Sequence, residues 1–159
     1  MNIIGSNDGL FWESWKKLIG TVDYNHPIYS KIGIEFYEEY FFSSKDIKNQ
    51  SFIILNGDIP IIGIILSVDR KDSLNRLSGF GRGINYVENN SGEIDGIKSA
   101  RKIFKKEFDL ILKNNGINSI FFRDYCSVNG SISLLGRQLL DMGGIANSHF
   151  VQLIDLNKP

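Results

Sequence analysis

Apolar residues recur along this chain in two registers, and each register predicts its own kind of element. Across residues 94–115 the positions Ile97, Ala100, Phe104, Phe108 and Ile111 fall three and four apart, with Lys98, Arg101, Lys102, Lys105, Lys106, Asp109 and Lys113 between them. At about 3.6 residues per turn the apolar set shares one face, so the spacing predicts a long, half-buried helix. Asn115-Gly116 closes it, because both residues accept the left-handed backbone of a helix C-terminus. Residues 117–122 are too short and too rich in isoleucine and phenylalanine for another helix and read as a strand. With residues 74–77 as a strand before the helix, the succession strand, crossover helix, strand allows the two strands to lie parallel in one sheet.

The rest of the chain follows the same two registers. Residues 1–8 carry no periodic pattern and are expected to fray. Leu10, Phe11, Trp15, Leu18 and Ile19 fall at helical spacing, with Ser6, Asn7 and Asp8 as caps. His26-Pro27 restricts the backbone to an extended link, after which Ser30 caps a second helix. Its aromatics, Phe36, Tyr37, Tyr40, Phe41 and Phe42, are dense, and most are expected in the core; residues 43–49 form a polar loop. Residues 52–55, the turn Asn56-Gly57-Asp58 and residues 59–68 read as a hairpin, with Pro60 at an edge or first-residue position. Residues 70–73 are a charged turn, and 74–77 complete a three-stranded antiparallel meander that runs into Gly79, Gly81 and Gly83. Past the strand 117–122, residues 124–130 are a loop. Ser131 caps a helix of Ile132, Leu135, Leu139 and Met142, Gly143-Gly144 stops it, and residues 150–156 are a last strand. The predicted order is α-α-β-β-β-α-β-α-β, an α/β (α+β) fold with a mixed, mostly antiparallel sheet flanked by helices in a single domain over 1–159.

Composition narrows the picture. Eighteen lysines and arginines balance eighteen aspartates and glutamates, so no bulk field recruits DNA or an anionic membrane. One cysteine excludes an internal disulfide framework and a multi-cysteine zinc site, and two histidines make no metal site expected. The longest apolar run, 59–68, contains Pro60 and Gly63 and falls well short of the roughly 20 residues that span a bilayer. The start, with Asp8 and Glu13 and no basic cluster, is unlike a secretory signal, so a cytoplasmic, reducing-compartment protein is expected.

Several stretches resemble a known family. They are Trp12 or Trp15, His26-Pro27-Ile28-Tyr29-Ser30, the hairpin from Asn56 to Gly63, Gly79-Phe80-Gly81-Arg82-Gly83, Leu139-Leu140-Asp141-Met142-Gly143-Gly144 and Val151-Gln152-Leu153-Ile154-Asp155-Leu156. Together with the element order they resemble the GNAT superfamily of N-acyltransferases, and within it the first half of the FemAB-like aminoacyltransferases, which have two tandem GNAT-like halves. The resemblance implies transfer of an acyl or aminoacyl group to an amine of a cell-envelope or nucleotide-sugar precursor. It implies acetyl-CoA or an aminoacyl-tRNA as donor, and a small-molecule or cell-wall or sugar precursor as partner. It also implies a second GNAT-like half or a homodimer, this chain being one half of a longer protein. A coenzyme A-dependent member carries a glycine-rich phosphate-binding turn at the start of the long helix. Here Tyr86-Val87-Glu88-Asn89-Asn90-Ser91-Gly92-Glu93 stands there as a loop, and Glu88 and Glu93 add negative charge, so that turn is not evident. A non-catalytic GNAT-like binding module is the alternative, and a small-molecule-binding regulator a third reading.

Each candidate residue has a functional and a structural reading. Gly79, Gly81 and Gly83 let a backbone approach a ligand closely, or form a bulged strand end. Arg82 contacts an anionic substrate group, or is solvated. Asp124 and Tyr125 follow the strand 117–122, at the carboxyl end where open sheets place ligands. There Asp124 can accept an amine proton and Tyr125 can protonate the leaving group; helix-start chemistry or loop packing explains the same residues. Cys126 is a nucleophile only with a lowered pKa and a nearby base, and is otherwise a small buried residue. His26 and His149 are general bases or strand-end residues. Arg137 and Asp141 read as an exposed ion pair, and the lysines of the long helix as a solvated face rather than a nucleic-acid surface.

Overall fold

Three stretches of chain, each bent in its middle, run from one sheet into another in a computed structural model. It describes residues 1–22, 29–41, 47–71, 74–80, 82–89, 91, 95–123 and 132–145. Strands β1 (Asn2–Gly5), β3 (Phe52–Asn56), β4 (Ile59–Ile65) and β7 (Asn85–Glu88) form one sheet in the order β1-β3-β4-β7, antiparallel throughout. Strands β2 (Ile47–Asn49), β5 (Ser67–Lys71), β6 (Leu74–Ser78) and β8 (Ser119–Ile120) form a second, ordered β2-β5-β6-β8. Its last pair, β6 with β8, is parallel, with Arg76 opposite Ser119 and Leu77 opposite Ile120. Residues 74–77 and 117–122 therefore share a sheet across a crossover helix, as the pattern predicts.

The bends have a chemical explanation. Where β2 passes into β3 and β4 into β5, Ser51 replaces ladder bonds with its side chain: its Oγ accepts from Leu66 N–H at 3.0 Å and donates to Leu66 C=O at 3.2 Å. One strand further on, Ser67 Oγ accepts from Phe80 N–H at 2.9 Å and donates to Ser78 C=O at 3.3 Å. Backbone groups released by each bend are thus paired again, which lets a buried strand change sheets without orphaned donors.

Among the described residues, four helices cover the two faces. The apolar run of β4 is buried on both sides: Ile62 and Ile64 pack with Phe104 and Phe108 of α3 (Ile97–Asn115), while Ile65 packs with Phe11, Trp15 and Leu18 of α1 (Phe11–Ile19). Gly63 sets how closely α1 approaches, since a Cβ there would meet Leu18 Cδ2 at 2.6 Å and Trp15 Cζ3 at 3.0 Å. Helix α2 (Lys31–Phe41) starts at Ser30, whose Oγ accepts from Gly33 N–H at 3.1 Å. Helix α3 ends at Gly116 with φ +53, as expected of a left-handed C-cap. Among the described residues no helix is long and apolar enough to cross a membrane.

Several expectations are corrected. Residues 2–5 are not frayed, because they ladder onto β3. Part of the supposed polar loop 43–49 is β2, where Ile47 pairs with Asp69. The strand 59–68 breaks at Leu66, Arg70 and Lys71 extend β5 rather than turning, and Asn85–Glu88 are a strand rather than a loop. Pro60 is the second residue of its strand rather than the first, ahead of the β7 ladder that starts at Ile62 and beside a register shift between Ile54 and Leu55. Phe36 is exposed, not core. The cap of α4 (Leu134–Asp141) is Ser133, accepting from Gly136 N–H. Arg137 Nε–H donates to Ile132 C=O rather than pairing with Asp141. Residues 124–130, Ser131, Phe42 and the expected strand 150–156 lie outside the described residues.

Candidate functional site

The two sheets part beside β8, and the glycine-rich run lies at that point. Gly79 and Arg82 exchange both backbone hydrogen bonds, at 2.8 and 3.1 Å, pinching the chain into a tight excursion with Phe80 at φ +55. Phe121 bridges the excursion: its N–H donates to Leu77 C=O at 2.8 Å and its C=O accepts from Ile84 N–H at 3.0 Å. Ile84 also forms a parallel bridge with Phe122. Beyond Ile84 the chain leaves β8 and enters the other sheet as its last strand, β7, with Asn89 N–H bonded to Ile61 C=O at 2.9 Å. Alternation then turns the peptide groups of Tyr86 and Glu88 to the side away from β4. The result is a rim where an extended ligand can lie along strand backbone.

Glycine is required here by contact. A Cβ on Gly83 would meet Arg123 Cβ at 2.5 Å and Arg123 N at 2.7 Å, and one on Gly79 would collide with Gly83 C=O. Close approach of backbone to backbone thus accounts for Gly79 and Gly83, both of them buried. Gly83 C=O accepts from the buried Tyr29 hydroxyl at 2.6 Å, and Tyr29 C=O in turn accepts from Trp15 Nε1–H at 2.8 Å. Arg82 is exposed but not merely solvated. Its Nη2–H donates to Tyr37 Oη at 2.6 Å and its guanidinium stands 5.3 Å from the Tyr37 ring centroid. Gly81, Asp124, Tyr125, Cys126, His26 and His149 lie outside the described residues.

On the α3 side of the rim, Glu88 does not stand as an uncompensated charge. Arg101 grips its Oε2 through Nε at 3.0 Å and Nη2 at 2.7 Å, and Tyr86 Oη–H donates to Oε1. The hydrogen bond to Glu88 and the charge of that carboxylate push the Arg101 pKa further up, against the opposing effect of burial. The start of α3 is occupied by neighbours. Its N-cap Gly96 has φ +89 and no side-chain cap, a Cβ there would collide with Met1 Cε, and Asn56 Nδ2–H donates to Asp95 C=O at 3.2 Å. Met1 and Asn56 belong to the β1–β3 side of the sheet, away from the rim.

On the α1–α2 face of the second sheet lies a polar cluster that sequence reading missed. Asp69, 3% exposed, accepts from Arg76 Nε–H at 2.8 Å and from Ser78 Oγ–H at 2.6 Å. A signal existed: Ser67 and Asp69 alternate about Val68 where the apolar run 59–66 ends, and Arg76 and Ser78 alternate opposite them.

No protein-family model matches the chain, and no curated protein does. Among solved structures, the "Putative acetyltransferase from Agrobacterium tumefaciens str. C58" matches with a TM-score of 0.51 at 9% identity, over 98% of this chain and 100% of that one. Likeness of that extent at that identity shows a shared fold, helices packed on mixed, mostly antiparallel sheets.

Proposed function

We propose that this chain is an N-acyltransferase-type domain, moving an acyl or aminoacyl group to an amine. The observation that carries the reading is the parting of the sheets beyond the Ile84–Phe122 bridge, beside the parallel β6–β8 pair, on a fold like that of an acetyltransferase. In the proposed reaction the neutral amine attacks the acyl carbonyl of an activated ester or thioester, forming the C–N bond. Backbone N–H groups stabilise the oxyanion, and the carbonyl reforms as the leaving group departs. Asp124, next in sequence to the rim residue Arg123, accepts the amine proton, and Tyr125 protonates the leaving group. Arg82 and the backbone at Gly81 and Gly83 contact the substrate. The finer reading, a FemAB-like half acting on a cell-envelope or nucleotide-sugar precursor, is supported by the residue stretches that resemble that family. The test is mass spectrometry of amine acceptors incubated with the chain and either acetyl-CoA or aminoacyl-tRNA. N-acylated product that disappears in Asp124→Asn is expected; no product with either donor overturns catalysis.

The occupied start of α3 favours a second reading, a GNAT-like module that binds without turnover. The same observation favours a donor other than coenzyme A if the domain is active. Acetyl-CoA at a hundred times its dissociation constant would stabilise a binding fold by about 2.7 kcal/mol, so an unchanged melting temperature separates these cases from a coenzyme A enzyme.

A further inference from the structure

The buried carboxylate of Asp69 holds Arg76 in an unusual way. Arginine and carboxylate commonly pair through two parallel N–H···O bonds. Here Ser78 takes Oδ2, so Asp69 offers Arg76 only Oδ1, and the guanidinium is bound through Nε at 2.8 Å. Its Nη groups have no partner among the described residues. Among those residues no buried side-chain nitrogen or oxygen lacks a partner, so the Nη groups reach solvent although the side chain is only 23% exposed. Asp69 and Ser78 thus fix the arginine and leave its outer edge unused.

The surroundings suit a ligand. Arg76 lies opposite Ser119 of β8, and alternation places Phe121 on the same face; both are exposed. The opposite face carries Val68, Leu77 and Ile120 in the core against α3. A half-desolvated guanidinium beside a hydroxyl and an aromatic ring, on the strand that leads to the rim, has the chemistry to recognise an oxyanion.

We propose that Arg76, positioned by Asp69 and Ser78, binds the carboxylate or phosphate of the acyl acceptor, so that the acceptor is an amine that also carries an acidic group. The inference rests on the acyltransferase reading for the word acceptor, while its test needs no turnover. The full chain, isotope-labelled, is titrated with glycine, glycinamide and O-phosphoethanolamine, following the Arg76 Nε–Hε NMR signal. Glycine or O-phosphoethanolamine is expected to shift that signal saturably, the better of the two naming the oxyanion, and glycinamide to bind at least tenfold more weakly. Followed through the backbone amide signals of Ser119 and Phe121, which both variants keep, Arg76→Lys, which retains a cation beside Asp69, is expected to weaken binding at least tenfold, and Arg76→Gln to abolish it. The proposal is overturned if no oxyanion moves the Arg76 signal in the unaltered chain, or if Arg76→Lys binds equally well. Acyl transfer to glycinamide with a silent Arg76 would sink this inference and leave the function standing. Oxyanion binding without transfer from any donor would do the reverse.

Discussion

Tyr29 and Gly83, 54 residues apart in the chain, are joined by a buried hydrogen bond of 2.6 Å from the phenol to the glycine carbonyl. The bond ties the segment before α2 to the glycine excursion that bridges the two sheets. Removing the hydroxyl strands a buried acceptor, so Tyr29→Phe is expected to cost about 1–2 kcal/mol although only one oxygen is lost. Urea unfolding checks this: the midpoint should fall with the slope unchanged. A midpoint equal to that of the parent would mean that Gly83 C=O finds water instead.

At Gly63 the constraint is space rather than hydrogen bonding. A methyl group there would press on the end of Leu18 and on the Trp15 ring, and a ring wedged in a core has little room to give. Gly63→Ala is therefore expected to destabilise by about 1–3 kcal/mol. Gly5→Ala is the control, because nothing lies within 4 Å of its Cβ position, and it should stay within about 0.5 kcal/mol of the parent.

Gly83→Ala tests the rim itself. Its methyl would meet backbone as well as side chain of Arg123, and backbone cannot rotate away. Separation of β8 from Ile84 is the expected result, seen as faster hydrogen exchange at Ile84 N–H, which donates to Phe121 C=O. Unchanged protection there would show that Arg123 shifts without disturbing the bridge.

What the sequence made legible follows a physical division. Helix α3 was readable because Ile97, Ala100, Phe104 and Phe108 repeat at helical spacing and Gly116 closes the helix, both local signals. The parallel pairing of β6 with β8 followed from the crossover that local pattern implied. The bends were not readable, because Ser51 and Ser67 act through partners 15 and 13 residues away, at Leu66 and Phe80. Strand β1 escaped notice for the same reason: its four residues have no period of their own and are strand only because β3 lies beside them. Arg82 stood out beside the glycines, yet its partner Tyr37 lies on a helix most of whose aromatics were expected in the core.

The pair Glu88 and Arg101 joins the end of β7 to α3. With Arg101 47% exposed at the side chain, solvent screens most of the attraction. A double-mutant cycle with Glu88→Gln and Arg101→Gln is expected to give a coupling of no more than about 1 kcal/mol, smaller again in high salt. A larger, salt-insensitive value would mean that the pair is desolvated by parts of the chain beyond these two elements.

Arg82 connects the glycine excursion to α2 in two ways, by a hydrogen bond to Tyr37 Oη and by lying over its ring. Both are exposed interactions, so Arg82→Gln should change global stability by no more than about 1 kcal/mol. The effect should be local instead: α2 loses its tie to the rim, and its amides exchange faster while those of α3 do not. Tyr37→Phe separates the two contributions, since it removes the hydrogen bond and keeps the ring beneath the guanidinium. If Tyr37→Phe leaves α2 exchange unchanged while Arg82→Gln speeds it, the stacking holds the helix; equal effects assign the tie to the hydrogen bond. No change in either variant would show that the excursion and α2 are positioned independently, leaving Arg82 free to turn toward a substrate.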